Sequence, residues 1–220
     1  ANHLANTATT GFKKDRANFE DLFYRQERLP GSIDSDGNRT PTGIEVGLGV
    51  RVSSTQSDFD QGAFQQTGNQ LDFAIEGPGF FEVQGQNGEQ LYTRAGNFGI
   101  NADGDIVLGS ARTGFRLQPA DNPQFQQAGQ LQLTTFINPD GLMKMGDNLF
   151  RPTEASGDAL QSVPGVQGVG VIRQNSLEAS NVDPTTELID LINTQRSFEL
   201  NSQVVRAGDE IMELVANLRR

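Results

Sequence analysis

After Pro184 the chain runs to Leu218 without another proline and with one glycine, Gly208. Such a stretch reads as one long helix, about 50 Å at 1.5 Å per residue. Its start lies in Asn181-Val182-Asp183-Pro184-Thr185-Thr186-Glu187. Asp183 suits the N-cap, Pro184 the first helical position, and Glu187 the positive end of the dipole. Two apolar stripes follow. Leu200, Val204, Ala207, Ile211, Leu214 and Leu218 recur at heptad spacing. Leu188, Leu191, Phe198, Val205 and Met212 form a second stripe on roughly the opposite side, interrupted by Gln195, Ser202 and Asp209. A helix in a two-layer domain needs a single apolar face. Two opposed faces predict one partner inside the subunit and another outside it. The sequence offers no other long helix, so these apolar residues are the expected assembly interface.

The middle of the chain reads as β. Leu71 to Ile75 alternates imperfectly before the turn Gly77-Pro78-Gly79. Phe80-Phe81-Glu82-Val83 is rich in strand-forming residues. Asn87-Gly88 signals a hairpin into Gln90-Leu91-Tyr92-Thr93-Arg94. Phe98 and Ile100 alternate with polar or small neighbours, Asp103-Gly104 turns the chain, and Ile106-Val107-Leu108 follows. Gln130 to Phe136 alternates again, with Leu131 and Leu133 on one face. Short strands punctuated by turns predict a small antiparallel β-domain.

The first part differs. Thr9-Thr10-Gly11-Phe12-Lys13-Lys14 breaks a helical end, and Asp21 to Leu29 is mixed. Pro30 to Gly43 is polar and rich in turn formers, so a long loop is expected. Ile44, Val46 and Val50 resume an extended pattern. The fold class expected is α+β, mostly β. Residues 1–66 with 177–220 would form one discontinuous domain and residues 67–176 a β-rich insertion.

Composition narrows the function. A net charge of -11 disfavours nucleic acid as a partner. The absence of Cys excludes disulfides, thiolate metal sites and cysteine nucleophiles. No apolar run reaches the length of a membrane span. The sole histidine, His3, has no carboxylate near it in sequence, so a solvated or packed helix-end histidine is expected. Asn101-Ala102-Asp103-Gly104-Asp105 resembles a calcium loop, but Arg112 stands where the bidentate Glu belongs, so a turn is expected. Gly165-Val166-Gln167-Gly168-Val169-Gly170 lacks the Lys-Ser or Lys-Thr of a phosphate loop and reads as bends. Glu20 and Asp21 are expected on a solvated helical face. No metal, cofactor or catalytic constellation emerges.

Ala1-Asn2-His3-Leu4-Ala5-Asn6-Thr7-Ala8-Thr9-Thr10-Gly11-Phe12-Lys13 resembles the N-terminal signature of flagellar axial proteins, the rod and hook family. Asn2, Ala5, Asn6, Gly11, Phe12 and Lys13 carry the match, and His3 stands where Asn is usual. In that family the signature follows an N-terminal helix, and the opening here reads as mid-element sequence. Asp72 to Val83, Tyr92 to Phe98 and Ser180 to Ser202 resemble the family's β-domain entry, next strand pair and C-terminal helix. The stretch Phe19-Glu20-Asp21-Leu22-Phe23-Tyr24, with Pro30-Gly31 after it, resembles the distal-rod branch. In that branch the insertion is linked to a straight, stiff rod. The family also implies further strands after Pro119, whereas this chain passes quickly to Gln130.

The resemblance implies a structural subunit, not an enzyme. It implies a helical homopolymer that contacts other rod and hook subunits and the outer rings of the basal body. It implies passage through the flagellar type III export apparatus without a cleaved signal, to the periplasmic rod. Nucleic acid, membrane insertion and cofactors have no place in it. The rival readings are a proximal rod or hook subunit, a wall-cutting hydrolase and a sugar-binding β-domain.

Overall fold

A computed structural model of the chain describes residues 1–33, 38–39, 41–85, 87–109, 114–118, 131–166 and 168–218. The region after Pro119, where the family resemblance implies more strands, lies outside them. The fold is α+β and mostly β, with a long C-terminal helix. The chain divides into two compact units, Ala1–Lys14 with Phe59–Arg220, and Asp15–Asp58.

The smaller unit is built from two antiparallel ribbons. β1 (Asp15–Asp21) pairs with β4 (Val50–Ser57), and β2 (Tyr24–Arg28) pairs with β3 (Ile44–Gly47). Ile44, Val46, Val50 and Val52 alternate with polar neighbours but stay exposed, and β1 is held to β4 by matched polar pairs. Arg16 donates to Gln56, Asn18 to Ser54, and Ser57 to Asp15. Here the structure corrects the sequence reading of Glu20 and Asp21. They lie on β1, not on a helix. Glu20 pairs with Arg51 across the ribbon, and Asp21 sits opposite Val50. The reason is local: each partner on β4 completes a cross-strand pair, whereas no apolar face at helical spacing exists in 15–21.

The larger unit opens with α1 (Asn2–Ala5). It then forms β5 (Phe64–Gln66), β6 (Phe73–Glu76), β7 (Phe81–Gln84), β8 (Gln90–Thr93), β9 (Phe98–Ile100), β10 (Ile106–Leu108) and β11 (Arg116–Leu117). After these come β12 (Leu133–Thr135), β13 (Met143–Gly146), β14 (Leu149–Arg151), β15 (Leu160–Ser162), β16 (Val171–Gln174), β17 (Ser176–Glu178) and α2 (Pro184–Leu218). A seven-stranded sheet runs β13-β14-β8-β7-β11-β10-β9. Two-stranded pairs β16-β6, β17-β5 and β12-β15 complete the unit.

Both faces of the central strands are covered, which explains why Phe80, Phe81 and Val83 are all apolar. Phe81 and Val83 join Phe73, Ile75, Leu91, Leu133 and Leu149 in one core. Phe80 joins Tyr92, Leu142 and Phe150 in a second, edged by Phe59 and Phe136. Registry fits this division. Tyr92 stands opposite Glu82 and Phe150, and Thr93 opposite Phe81 and Leu149. Glu82 is buried among these residues and its carboxylate accepts from Gln161 at 2.6 Å. The β13–β14 turn has Asp147 and Asn148 at φ 51° and 59°. Two consecutive left-handed residues match the right-handed twist of a tight hairpin. The glycines expected to bend the chain do so: Gly165 and Gly168 have positive φ, and a Cβ on Gly170 would lie 2.6 Å from the Glu76 carbonyl oxygen.

A Cβ on Gly96 would lie 1.6 Å from the Phe73 carbonyl oxygen. Gly96→Ala must therefore push two backbones apart, and urea unfolding should show a loss of about 2–3 kcal/mol. A second expectation concerns pH. Burial first, and the Glu82 carboxylate second, push the Tyr92 hydroxyl from its ordinary 10.0 up to about 12. The unfolded chain loses this proton first, so the contribution is intact below about pH 10 and is lost as pH rises through about 12. Between these values the wild type should lose up to about 2–3 kcal/mol more than Tyr92→Phe, measured by unfolding at each pH.

Candidate assembly interface

Helix α2 begins as its sequence dictates. The Asp183 carboxylate accepts from the Thr185 amide at 3.0 Å and the Thr186 hydroxyl at 2.8 Å. The Thr186 hydroxyl first, and the Thr185 amide next, hold the Asp183 carboxyl below its ordinary range. Pro184 follows at the first helical position, and the Glu187 amide bonds to the Asp183 carbonyl.

None of the residues of α2 is buried. Leu188, Leu191, Phe198, Leu200, Val204, Val205, Ile211, Met212, Leu214 and Leu218 are all exposed, from 36% at Leu191 to 85% at Leu218. The sequence pattern predicts one stripe covered inside the subunit, and neither is. The stripes are also wider than the spacing rule found. Ile189 and Val215 are exposed on the first side and Ile192 beside the second. A 100° rotation per residue places them there. A strict heptad count skips them because it tracks a seam one residue wide.

The signature residues lie at the root of the helix. Asn6 caps the short α1 by donating to the Asn2 side chain at 2.8 Å and bonding through its amide to the Asn2 carbonyl. Thr9 in turn donates to the Asn6 side chain. Ala5 is exposed. His3 gains the carboxylate that its local sequence lacks: Glu187 of α2 lies 2.9 Å from its Nδ1. Phe12 stands edge-on to the His3 ring and under the Lys144 ammonium.

Below this contact Lys13 is buried, with its Nζ 2.6 Å from Glu178 Oε1 and 2.6 Å from the Asp60 carbonyl oxygen. The same carboxylate oxygen accepts from the Gly62 amide at 2.9 Å, and Arg94 Nη1 lies 3.6 Å from Oε2. Arg94 also donates to the Gly77 and Ile75 carbonyls, and its desolvation lowers its pKa. Backbone bonds frame the group. The Gly11 amide donates to the Glu178 carbonyl, the Lys14 amide to the Asn181 side chain, and the Asn181 amide to the Phe12 carbonyl. Lys144 and Asn148 reach the Lys13 and Thr10 carbonyls from β13 and its turn. Gly11 has φ +67°, and a Cβ there would meet the Ala95 nitrogen at 2.6 Å. At Gly62 it is tighter still: a Cβ would lie 2.0 Å from the Ala179 carbonyl oxygen. Gly11 and Lys13 thus have structural reasons to stand in the signature. Sequence reasoning missed Glu178, Arg94 and Gly62. The one available signal was a lone acid closing the strand Ser176-Leu177-Glu178.

The residues resembling the distal-rod insertion lie in the ribbon unit. Phe19 faces Val52 across β1 and β4, and both are exposed. Glu20 and Asp21 stand as described above. Tyr24 covers Gly47, while Pro30 and Gly31 turn the chain beyond β2. Phe23, Leu29, Ile33, Ile44, Leu48 and Val50 are exposed as well. Residues 34–37 and 40, within the expected loop, lie outside the described residues. Among the described residues no helix is long and apolar enough to cross a membrane.

The "Flagellar hook protein FlgE/F/G D1 domain" family matches residues 74–145, and the "Flagellar basal body rod FlgEFG protein C-terminal" family matches residues 173–218. The flagellar basal-body rod protein FlgG of Caulobacter vibrioides is 40% identical over 243 residues, covering 100% of this chain and 92% of the relative. That of Agrobacterium fabrum is 40% identical over 238 residues, covering 98% and 90%. FlgF of Caulobacter vibrioides is also similar, 36% identical over 232 residues, covering 97% and 86%. An exposed two-sided helix rooted on a β body is thus matched over its whole length by rod proteins, and the chain belongs to the FlgG family of flagellar basal-body rod proteins, a structural and not an enzymatic family.

Proposed function

We propose that this rod subunit completes its structure by polymerising, with α2 packed between neighbouring copies in a straight, hollow helical tube at the distal end of the rod. The observation that carries this reading is a helix of 35 residues with no buried residue. A helix with two apolar sides and no cover is marginal alone in water. Ordering its backbone costs about 1–2 kcal/mol per residue, which contacts with neighbouring helices would offset. In the tube, residues 1–66 with 177–220 form the inner domain and residues 67–176 the outer β-domain. The Phe19 to Gly31 segment and the loop after it bridge subunits and hold the tube straight. Other rod and hook subunits cap its ends, and the outer rings of the basal body surround it in the periplasm. Export as an unfolded or partly folded chain through the type III apparatus, with no cleaved signal, keeps assembly out of the cytoplasm.

Amide exchange on the free full-length subunit and on assembled rods tests the central claim. Fast exchange along 195–214 in the free chain, slowed on assembly, is the expected result. Strong protection in the free chain would make α2 part of a finished fold and remove the reason for polymerisation. Ile211, midway along the purer stripe, should matter most. Ile211→Asp should leave β-domain unfolding unchanged and raise the concentration needed for rod assembly by at least about tenfold. Assembly at the wild-type concentration would mean the seam lies elsewhere. Deleting residues 24–42 should give curved or flexible rods in electron micrographs; straight rods would remove the bridging role.

A further inference from the structure

We infer that Lys13, Glu178 and Arg94 are positioning residues for assembly: a buried charged hub, already formed in the free subunit, that fixes where both chain ends leave the β body. This rests on the proposal that α2 orders on polymerisation, and names what that ordering starts from. The hub joins segments far apart in the chain. Lys13 lies just after the N-terminal signature, and Glu178 lies just before the Asp183 cap of α2. Between them come Asp60 and Gly62, and Arg94 at the end of β8.

The chemistry makes the geometry exclusive. The Glu178 and Lys13 side chains are fully buried. A buried charge left unpaired is strongly unfavourable, whereas a mispaired apolar side chain is tolerated. Lys13 Nζ therefore has one low-energy position, against Glu178 Oε1 and the Asp60 carbonyl. A shift of either chain end by one residue would place Lys14 or Ala179 there instead. Either shift costs a contact: Ala179 has no acceptor side chain, and bringing the Lys14 ammonium to the site would break the bond from its amide to the Asn181 side chain. Close backbone approach at Gly11 and Gly62 leaves no space for another path. The consequence appears above the hub, where His3 of α1 meets Glu187 in the first turn of α2. Polymerisation then extends a helix whose register and direction are set. It does not have to order both chain ends from nothing.

The test is residue-resolved amide exchange on the free full-length subunit, as wild type, Lys13→Met and Glu178→Gln. The root reporters are the amides of Gly11, Lys14 and Asn181. The core reporters are Phe80 and Thr134, whose amides bond to each other's carbonyls. In the wild type the root should exchange as slowly as the core. Either substitution should speed the root by about a hundredfold and leave the core unchanged. Root amides as fast as those of 195–214 in the wild type would overturn the inference without any variant. Equal acceleration of root and core, or a variant that fails to fold, would also overturn it, because the pair would then be a general prop. Protection of 195–214 in the free chain tells instead against folding on assembly, and the root result can still be read.

Discussion

The ion pair between Lys13 and Glu178 is the contact on which the rest of the large unit converges. Burying two charges is unfavourable unless their hydrogen-bonding capacity is met. Here one carboxylate oxygen takes both the ammonium and the Gly62 amide, while the other accepts no hydrogen bond and is met by the charge of Arg94, 3.6 Å away. Neutralising that carboxylate draws together β17, the residue after β8, the entry to β5 and the N-terminal signature. Several glycines follow from this convergence. Gly11 and Gly62 sit where a single added carbon would strike backbone. The signature Gly-Phe-Lys is thus a structural unit: glycine for approach, phenylalanine against His3 and Lys144, lysine for the buried acid.

What could be read from the sequence was local. The cap of α2, the turn at Asn87-Gly88 and the strands at 90–93, 98–100 and 106–108 all stand where their patterns place them. Each depends on neighbours within a few residues. The Lys13–Glu178 pair spans most of the chain and has no local pattern. Glu82 was equally silent: it reads as the polar member of an alternating strand, yet both faces of that strand are covered. Of the ribbon unit, Ile44, Val46 and Val50 on β3 and the start of β4 were legible, and the rest was hidden for another reason. Arg16, Asn18, Ser54 and Gln56 pair across strands by hydrogen bonds, and hydrogen-bonded polar strands carry no hydrophobic period.

Helix α2 separates what sequence patterning can and cannot supply. The pattern correctly gives two apolar sides, and by the usual rule one of them belongs in the subunit's own core. The β body has no use for it. Its two cores are closed by Phe, Leu, Val and Ile residues from the strands, with Phe59 and Phe136 at the edge. The helix keeps its polar anchorage at the root and leaves its apolar length uncovered. A core completed without the helix is what allows a folded body to carry an unsatisfied surface.

The two sides of that surface are chemically different. At 100° per residue, Glu199, Asp209 and Glu213 fall among or beside Leu188, Phe198, Val205 and Met212, with Arg206 the one cation in line with them. The side holding Leu200, Val204, Ile211, Leu214 and Leu218 has Asp190 and Glu210 at its margins and one cation, Arg196, in line with Leu214. Desolvating several like charges along one contact is unfavourable, and the net charge of -11 adds long-range repulsion between copies. Salt screens that repulsion beyond about 8–10 Å, which leaves short-range apolar contact to decide the packing. On the proposed packing the purer stripe forms the dry seam between helices. The acid-flanked stripe is then the wetter contact, facing water or a basic neighbour. The hollow tube proposed above would have a place for each.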